Sequence, residues 1–336
     1  MKYRQFGSTD LRVSEVGFGC GRLGGTVERQ DRKEAERTLN LAFDRGINYF
    51  DTADIYAQGR SEELLGKTFH RRRSSVILAS KAGYRLSKAG SFAARMKPLV
   101  RPLISLAPAL RKSAQQFRGS QMSQEFSADY LRQAIEASLK RLRTDYLDLF
   151  QLHSPPPSVL QTGEYLEALE KLKSEGKIRY YGVACVETSH AELCLAQPSI
   201  SAIQIQINLL NYESASKLLD RARATRVAIV ARQPLASGFL AKPLAELEPS
   251  QFPIPRVEYD EIHARVAEYQ SLVSPQRTIA QAAIQFVLQA PAVSLVLPGM
   301  SSRRHLEENL RALQAPALSE DELQQVTRSF AGSTRG

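Results

Sequence analysis

Eight short apolar runs recur along this chain, each followed by a stretch patterned as a helix, and nothing else in it restricts the possible folds so strongly. The runs are EVGFG (15–19), INYFD (47–51), SVILASK (75–81), YLDLFQLH (146–153), KIRYYGVAC (177–185), ISAIQIQIN (200–208), RVAIVAR (226–232) and AVSLVLPG (292–299). They are rich in Val, Ile, Leu and Tyr and mostly continuous, as strands buried on both faces should be. The helical stretches carry legible caps. Asp31 precedes KEAERTLNLAFDRG, with Glu34 as a capping-box partner and Gly46 as a stop. Ser127 opens ADYLRQAIEASLKRL, and Gly163 opens EYLEALEKLKSEG, which Gly176 closes. Strand alternating with helix gives a parallel sheet, and eight such units in 336 residues predict a closed (β/α)8 barrel.

The spacing of the units is broken after Lys81 and after Arg232, so loop insertions are expected at 83–127 and 233–256, both over the C-terminal face. A short hairpin (YRQF and RVSEV across GSTDL) precedes the barrel and is placed to plug its bottom, and SEDELQQVTRSF adds a last helix. No compositional break marks a linker, so residues 1–336 are expected to form one domain. The N-terminus lacks an apolar signal region and no run is long enough for a membrane span. Three cysteines (Cys20, Cys185, Cys194) fit neither a disulfide framework nor a spaced metal site, and a cytoplasmic setting follows. The formal net charge of +10 is local: eight Lys or Arg stand against one acid between Gly83 and Ser127, a net +7. One basic segment does not define a nucleic-acid-binding domain.

Residues 19–24, GCGRLG, match a dinucleotide-binding G-x-G-x-x-G after a strand, with Asp51 closing the next one. That motif needs a helix N-terminus at its third glycine, so that the unpaired N–H groups meet the pyrophosphate. Here GTVERQ separates Gly24 from the cap at Asp31. A glycine-rich loop at a barrel mouth fits better, with a doubly wound dehydrogenase as the structural rival.

In a barrel, a polar residue at the C-terminal end of a strand points into the shared mouth. Asp51 ends the second run, Lys81 the third and His153 the fourth, and Tyr56 lies just beyond Asp51. Each has a bland alternative: a helix cap, a solvated strand end, a core histidine. Their convergence at one level on consecutive strands is harder to dismiss. The chain here resembles an aldo-keto reductase. The resemblance is carried by GFGCGRLGG, FDTADIYAQGRSEELLG, SK at 80–81, DYLDLFQLH, IQIQINLLN, ARQPLASGFL and LPGMSSRRHLEENL, which occur in family order over nearly the whole chain. It implies a catalytic tetrad of Asp51, Tyr56, Lys81 and His153. Hydride passes to a carbonyl carbon and Tyr56 donates the proton; a phenol titrates near pH 10, and an adjacent ammonium favours its ionised form. Asp51 would hold that ammonium, and His153 would orient and polarise the carbonyl.

The resemblance further implies NADP(H) lying across the mouth. Glu308 and Asn309 match adenine contacts, and Ser301, Ser302, Arg303, Arg304 and His305 surround the expected 2′-phosphate. Gln204 matches a residue near the nicotinamide amide. Gly19, Cys20, Gly21, Gln233, Pro234, Leu235, Gly238, Leu240, Pro298 and Gly299 complete the expected cofactor contacts. Arg232 stands where the family often has an aromatic that stacks on the ring, which a guanidinium can also do. The fifth strand ends GVAC where the family commonly reads GVSN, so Ala184 and Cys185 replace two hydrogen-bonding side chains. Restoring Ser and Asn there is expected to tighten cofactor binding. Cys20 and Cys185 are both expected near the mouth as small apolar fillers.

The basic insertion reads first as a lid over a substrate pocket, with a disordered loop or a surface-docking segment as alternatives. The function expected is reduction of a small aldehyde or ketone, or oxidation of the corresponding alcohol. A cofactor-sensing subunit without turnover is the rival, and an aldolase using a Schiff base on Lys81 is disfavoured by the adjacent Asp51 and Tyr56.

Overall fold

The computed structural model describes residues 1–21, 23, 32–86, 122–300 and 302–333. Gly24, the expected cap Asp31, Ser301 and the middle of the basic insertion lie outside the described residues. The chain begins with an antiparallel pair, β1 (Tyr3–Gln5) and β2 (Arg12–Ser14). Then come β3 (Phe18–Gly19), β4 (Tyr49–Asp51) and β5 (Ile77–Ala82). A second antiparallel pair, β6 (Tyr84–Leu86) and β7 (Met122–Gln124), joins the two ends of the insertion. The parallel series resumes with β8 (Leu147–His153), β9 (Ile178–Ala184), β10 (Ala202–Gln206), β11 (Ala228–Arg232) and β12 (Val293–Leu297).

The eight strands β3, β4, β5, β8, β9, β10, β11 and β12 are neighbours in that order. Parallel bridges Val16↔Val296 and Gly19↔Gly299 bring β12 back to β3 and close the ring. This is the (β/α)8 barrel expected from the eight runs, and the N-terminal hairpin is present. The run EVGFG is a strand only at its last two residues, because its earlier part makes single bridges and bonds to the β12 side instead.

Each strand is apolar on both faces because it serves two cores. Tyr49, Ile77, Ala79, Leu149, Ala202, Ala228, Val230, Leu295 and Leu297 point inward and pack with Phe6, Leu11 and Val13 of the hairpin, which stoppers the barrel. Their neighbours, among them Phe50, Leu78, Phe150 and Ile203, point outward to the helices. Gly7 makes the stopper possible: its φ is +58°, and a Cβ there would lie 2.6 Å from the Arg226 carbonyl oxygen.

Helix punctuation follows the sequence where it is described. The Ser127 hydroxyl accepts from the Tyr130 N–H at the start of Ala128–Leu142, and Gly163 and Gly176 adopt positive φ at the two ends of Glu164–Ser174. The last helix is Glu320–Ser333. Among the described residues no helix is long and apolar enough to cross a membrane.

Candidate active site

The inward face of each strand changes character near its C-terminal end. On β4 the alternation runs Tyr49 then Asp51; on β5 it runs Ile77, Ala79, Lys81; on β8, Leu149, Gln151, His153. On β10 it is Ala202, Gln204, Gln206, and on β11 Ala228, Val230, Arg232. Period-two geometry therefore lifts a ring of polar groups above an apolar barrel interior.

Asp51 and Lys81 lie at the centre of that ring, and both are almost wholly buried. Lys81 Nζ donates to Asp51 Oδ2 at 2.5 Å and to the Thr52 carbonyl at 2.8 Å. The other carboxylate oxygen accepts from Gln204 Nε2 at 2.8 Å and Gln151 Nε2 at 3.2 Å. Tyr56 sits on the turn after β4, its ring centroid 5.0 Å from the ammonium. Burial acts to strip the Lys81 proton, but Asp51 and the phenol outweigh it, and the ammonium is held above the ordinary lysine value. His153 meets the Tyr56 ring edge-on, with centroids 5.8 Å apart at 89°. Burial, then the charges of Lys81 and Arg232, lower its imidazole to about 3, so it is neutral at physiological pH. Its Nδ1 is buried and has no partner among the described residues, which leaves Nε2 as the nitrogen able to meet a ligand.

The GRSEELLG stretch is what aims Tyr56. Glu62 is fully buried and accepts from Ser80 Oγ at 2.5 Å and Arg141 Nε at 2.6 Å. Thr52 donates to Ser61 Oγ, which donates to the Cys20 carbonyl. These bonds tie the start of helix Arg60–Phe69 to the ends of β3, β4 and β5. Gly66 lets that helix lie against the next, since a Cβ there would stand 2.5 Å from the Arg141 carbonyl.

The structure thus gathers Asp51, Tyr56, Lys81 and His153, and adds residues that the sequence reading passed over. Gln151 obeys the same alternation as His153, two positions earlier. Tyr84, on β6, presents its ring to His153 at 4.9 Å and 84°, and Gln124 of β7 donates to the Ser154 carbonyl. The ends of the insertion therefore meet the mouth. Asp54, two residues before Tyr56, accepts from Tyr130 at 3.5 Å, and burial followed by Glu62 raises its carboxyl to about 7.

Some expected contacts are otherwise engaged. Gln204 is committed to Asp51 through its amide nitrogen. Cys185 turns its thiol away from the mouth, 3.8 Å from Cys194, and is wholly buried. It offers the mouth only its backbone: its carbonyl accepts from Arg232 Nη2 at 3.2 Å and its N–H donates to the Gln204 carbonyl. An Asn at 185 would press an amide into this closed pocket, so the expected gain from restoring the Ser–Asn pair is withdrawn. Cys20 is buried with its thiol toward the Phe18 carbonyl, and Ala184 and Leu240 are buried as well.

Around the rim, Gly19 and Gly21 keep the floor low: a Cβ at Gly21 would meet the Tyr56 ring at 3.6 Å, and one at Gly299 would meet nothing within 4 Å. After β11, Gln233, Ala236, Ser237 and Gly238 all have positive φ, around a buried Pro234 and a half-buried Leu235. Left-handed residues in such turns form concavities that suit anions. Following Pro298, Ser302 caps helix Arg303–Arg311 by accepting from the His305 N–H. Arg303 pairs with Glu34 at 2.6 Å and Arg304 with Glu308 at 2.9 Å, all partly or largely exposed. Asn309 is buried and donates to the Gly299 carbonyl. An open floor, a left-handed turn and a helix start with two arginines lie along one edge of the mouth, and they fit an extended ligand with several phosphates. Among the described residues no cluster of three or more His, Cys, Asp or Glu is arranged for a metal ion.

The chain is similar to known proteins over nearly its whole length. A model of the Aldo/keto reductase family matches residues 15–330. An uncharacterized oxidoreductase of Bacillus subtilis, YqkF, is 33% identical over 325 residues, covering 96% of this chain and 94% of that protein. The NADH-specific methylglyoxal reductase of Escherichia coli is 26% identical, over 93% of this chain and 94% of its own length. Among solved structures, the holo form of aldo-keto reductase AKR11C1 from Bacillus halodurans superposes with a TM-score of 0.76 at 31% identity. That match covers 98% of this chain and 96% of the other.

Proposed function

Because the chain belongs to the aldo/keto reductase family, whose members are oxidoreductases acting with a nicotinamide cofactor on small carbonyl compounds, we propose that it is a cytoplasmic, NADP(H)-dependent reductase of a small aldehyde or ketone, or works in reverse on the corresponding alcohol. The observation that carries this reading is the buried ammonium of Lys81, fixed by Asp51 at 2.5 Å and set against Tyr56, with a neutral His153 edge-on to the phenol ring. When bound, the reduced nicotinamide supplies a hydride to the carbonyl carbon.

The remaining chemistry belongs to the chain. Tyr56 gives its phenolic proton to the carbonyl oxygen as charge develops there, and Lys81 stabilises the phenolate that remains. Asp51 keeps the ammonium charged and in place, with Gln151 and Gln204 fixing the carboxylate in turn. His153 donates from Nε2 to the same oxygen and so orients the carbonyl. In the reverse sense the same groups take the proton from an alcohol.

NADP(H) is preferred over NAD(H) in this reading because Ser302, Arg303 and Arg304 surround a helix start, where a 2′-phosphate would find both N–H groups and guanidinium. The turn 233–238 and the Pro298–Gly299 edge border the path of the diphosphate. The test is a screen of NADPH oxidation over carbonyl compounds, with Tyr56→Phe as the decisive variant. It should lose ~10²–10⁴ in rate while binding NADPH nearly as well as wild type. Near-native turnover would remove Tyr56 from the mechanism.

A further inference from the structure

Arg232 ends β11, and its register partner Gln206 ends β10. Its side chain reaches back across the sheet to the Cys185 carbonyl, just beyond β9. In the next register pair Ala184 of β9 lies opposite His153 of β8, so the guanidinium occupies the flank of the mouth beside the imidazole. Its charge is felt there: it helps keep His153 unprotonated, while burial disfavours the charge of the guanidinium itself and the Tyr56 phenol, Cys185 and Asp51 offset only part of that. The charge of Lys81 is matched by Asp51. Arg232 makes one hydrogen bond to a neutral carbonyl, and among the described residues no carboxylate lies within ion-pair distance of it. Half-buried, it leaves the mouth with an uncompensated positive charge.

Resting on the reductase reading above, we propose that Arg232 makes the site discriminate between the two redox states of the nicotinamide, favouring the neutral reduced ring over the cationic oxidised one. Hydride crosses only when donor and acceptor carbons are roughly 3–3.5 Å apart. A ring that close to a carbonyl held by Tyr56 and His153 lies in the field of the guanidinium. The oxidised ring carries one more positive charge than the reduced ring, and all phosphate and adenine contacts are common to both forms. They cancel in the ratio of affinities, so the ratio isolates the charge at the ring. Like charges about 5 Å apart repel by enough, even at the high effective dielectric of a protein surface, to change affinity tenfold or more. The consequence is easy release of the oxidised product and a bias of the site toward reduction.

The experiment measures affinity, not turnover. NADPH is titrated by its own fluorescence and NADP⁺ by calorimetry, with NADH and NAD⁺ run in parallel, on wild type and on Arg232→Lys, Arg232→Gln and Arg232→Met. Wild type and Arg232→Lys should bind the reduced form at least about tenfold more tightly than the oxidised form. Arg232→Gln and Arg232→Met should bring the two affinities within about twofold of each other. Arg232→Gln can keep a hydrogen bond to the Cys185 carbonyl, so it decides the matter if the Met variant melts early. A wild-type ratio near one, or a ratio unaltered in well-folded neutral variants, overturns the inference and leaves the reductase reading standing. Failure of wild type to bind any of the four nucleotides overturns both.

Discussion

The ends of β4, β5 and β8 and the start of helix Arg303–Arg311 are both built from charged side chains, but they treat charge in opposite ways. In the first, Lys81 and Asp51 are buried and their bonds are to fixed groups: Thr52, Gln151 and Gln204. In the second, Arg303 and Arg304 keep more than half of their side-chain surface in water and pair with Glu34 and Glu308, also partly exposed. A buried pair must be right in the folded protein before any ligand arrives, because an unmatched charge there is costly. An exposed pair is worth little to the fold and can exchange partners. The first arrangement suits chemistry on a bound carbonyl, and the second suits capture of an anion that comes and goes.

The comparison breaks most visibly in stability. Asp51→Leu leaves the Lys81 ammonium buried without its counter-ion, and should cost about 3–5 kcal/mol as well as activity. Lys81→Met should cost less, since the Asp51 carboxylate keeps the amides of Gln151 and Gln204. Urea unfolding of the two variants checks the order. A loss below about 0.5 kcal/mol for Asp51→Leu, the range of an ordinary surface change, would show that the cage is not preorganised as described.

A second consequence of burial is a pH dependence set by His153. Its folded-state value of about 3 lies below the ordinary 6.5. Between those limits the unfolded chain binds a proton that the folded chain refuses, so stability is full above about pH 6.5 and falls as the pH drops toward 3. On lowering the pH from 7 to 5, wild type should lose about 2 kcal/mol more than His153→Gln, which cannot titrate. Parallel losses in the two proteins would mean that the imidazole charges freely in the fold.

Much of the cage could be read from the sequence because strand geometry has a strict period. Once INYFD, SVILASK and YLDLFQLH are strands, Asp51, Lys81 and His153 must share the mouth. Gln151 obeyed the same rule and was overlooked only because a lone amide carries no chemistry by itself. Tyr84 was not legible, since its place against His153 depends on the pairing of β6 with β7 across a long insertion. The same holds for the bond of Glu62 to Arg141, which joins two helices nearly eighty positions apart. Cys185 shows the limit differently. Its position at a strand end was right, but the alternation that pairs Ala184 with His153 on the inner face sends Tyr181, Val183 and Cys185 outward, and its thiol meets Cys194. At the Arg303 helix, the cap and the arginines were legible, whereas their pairing with Glu34 needed the first helix to be in place.

The smallest effect expected is at that exposed end. Arg303→Ala with Arg304→Ala should leave the unfolding midpoint almost unchanged, because surface pairs of this kind contribute only about 0.2–1 kcal/mol. NADPH affinity should nevertheless fall about tenfold, since a hydrogen bond to a charged phosphate is worth roughly 1.5–3 kcal/mol and part of that is discounted for solvent and for the carboxylates that must be released. NADH, which has no 2′-phosphate, should lose little. The discount can be checked in the same titration, because Glu34→Gln frees Arg303 from its competitor and should raise NADPH affinity by a few-fold in the opposite direction. Equal losses for NADPH and NADH in the double variant would mean that neither arginine meets the 2′-phosphate. A large drop in stability would mean that the two regions do not treat charge differently after all.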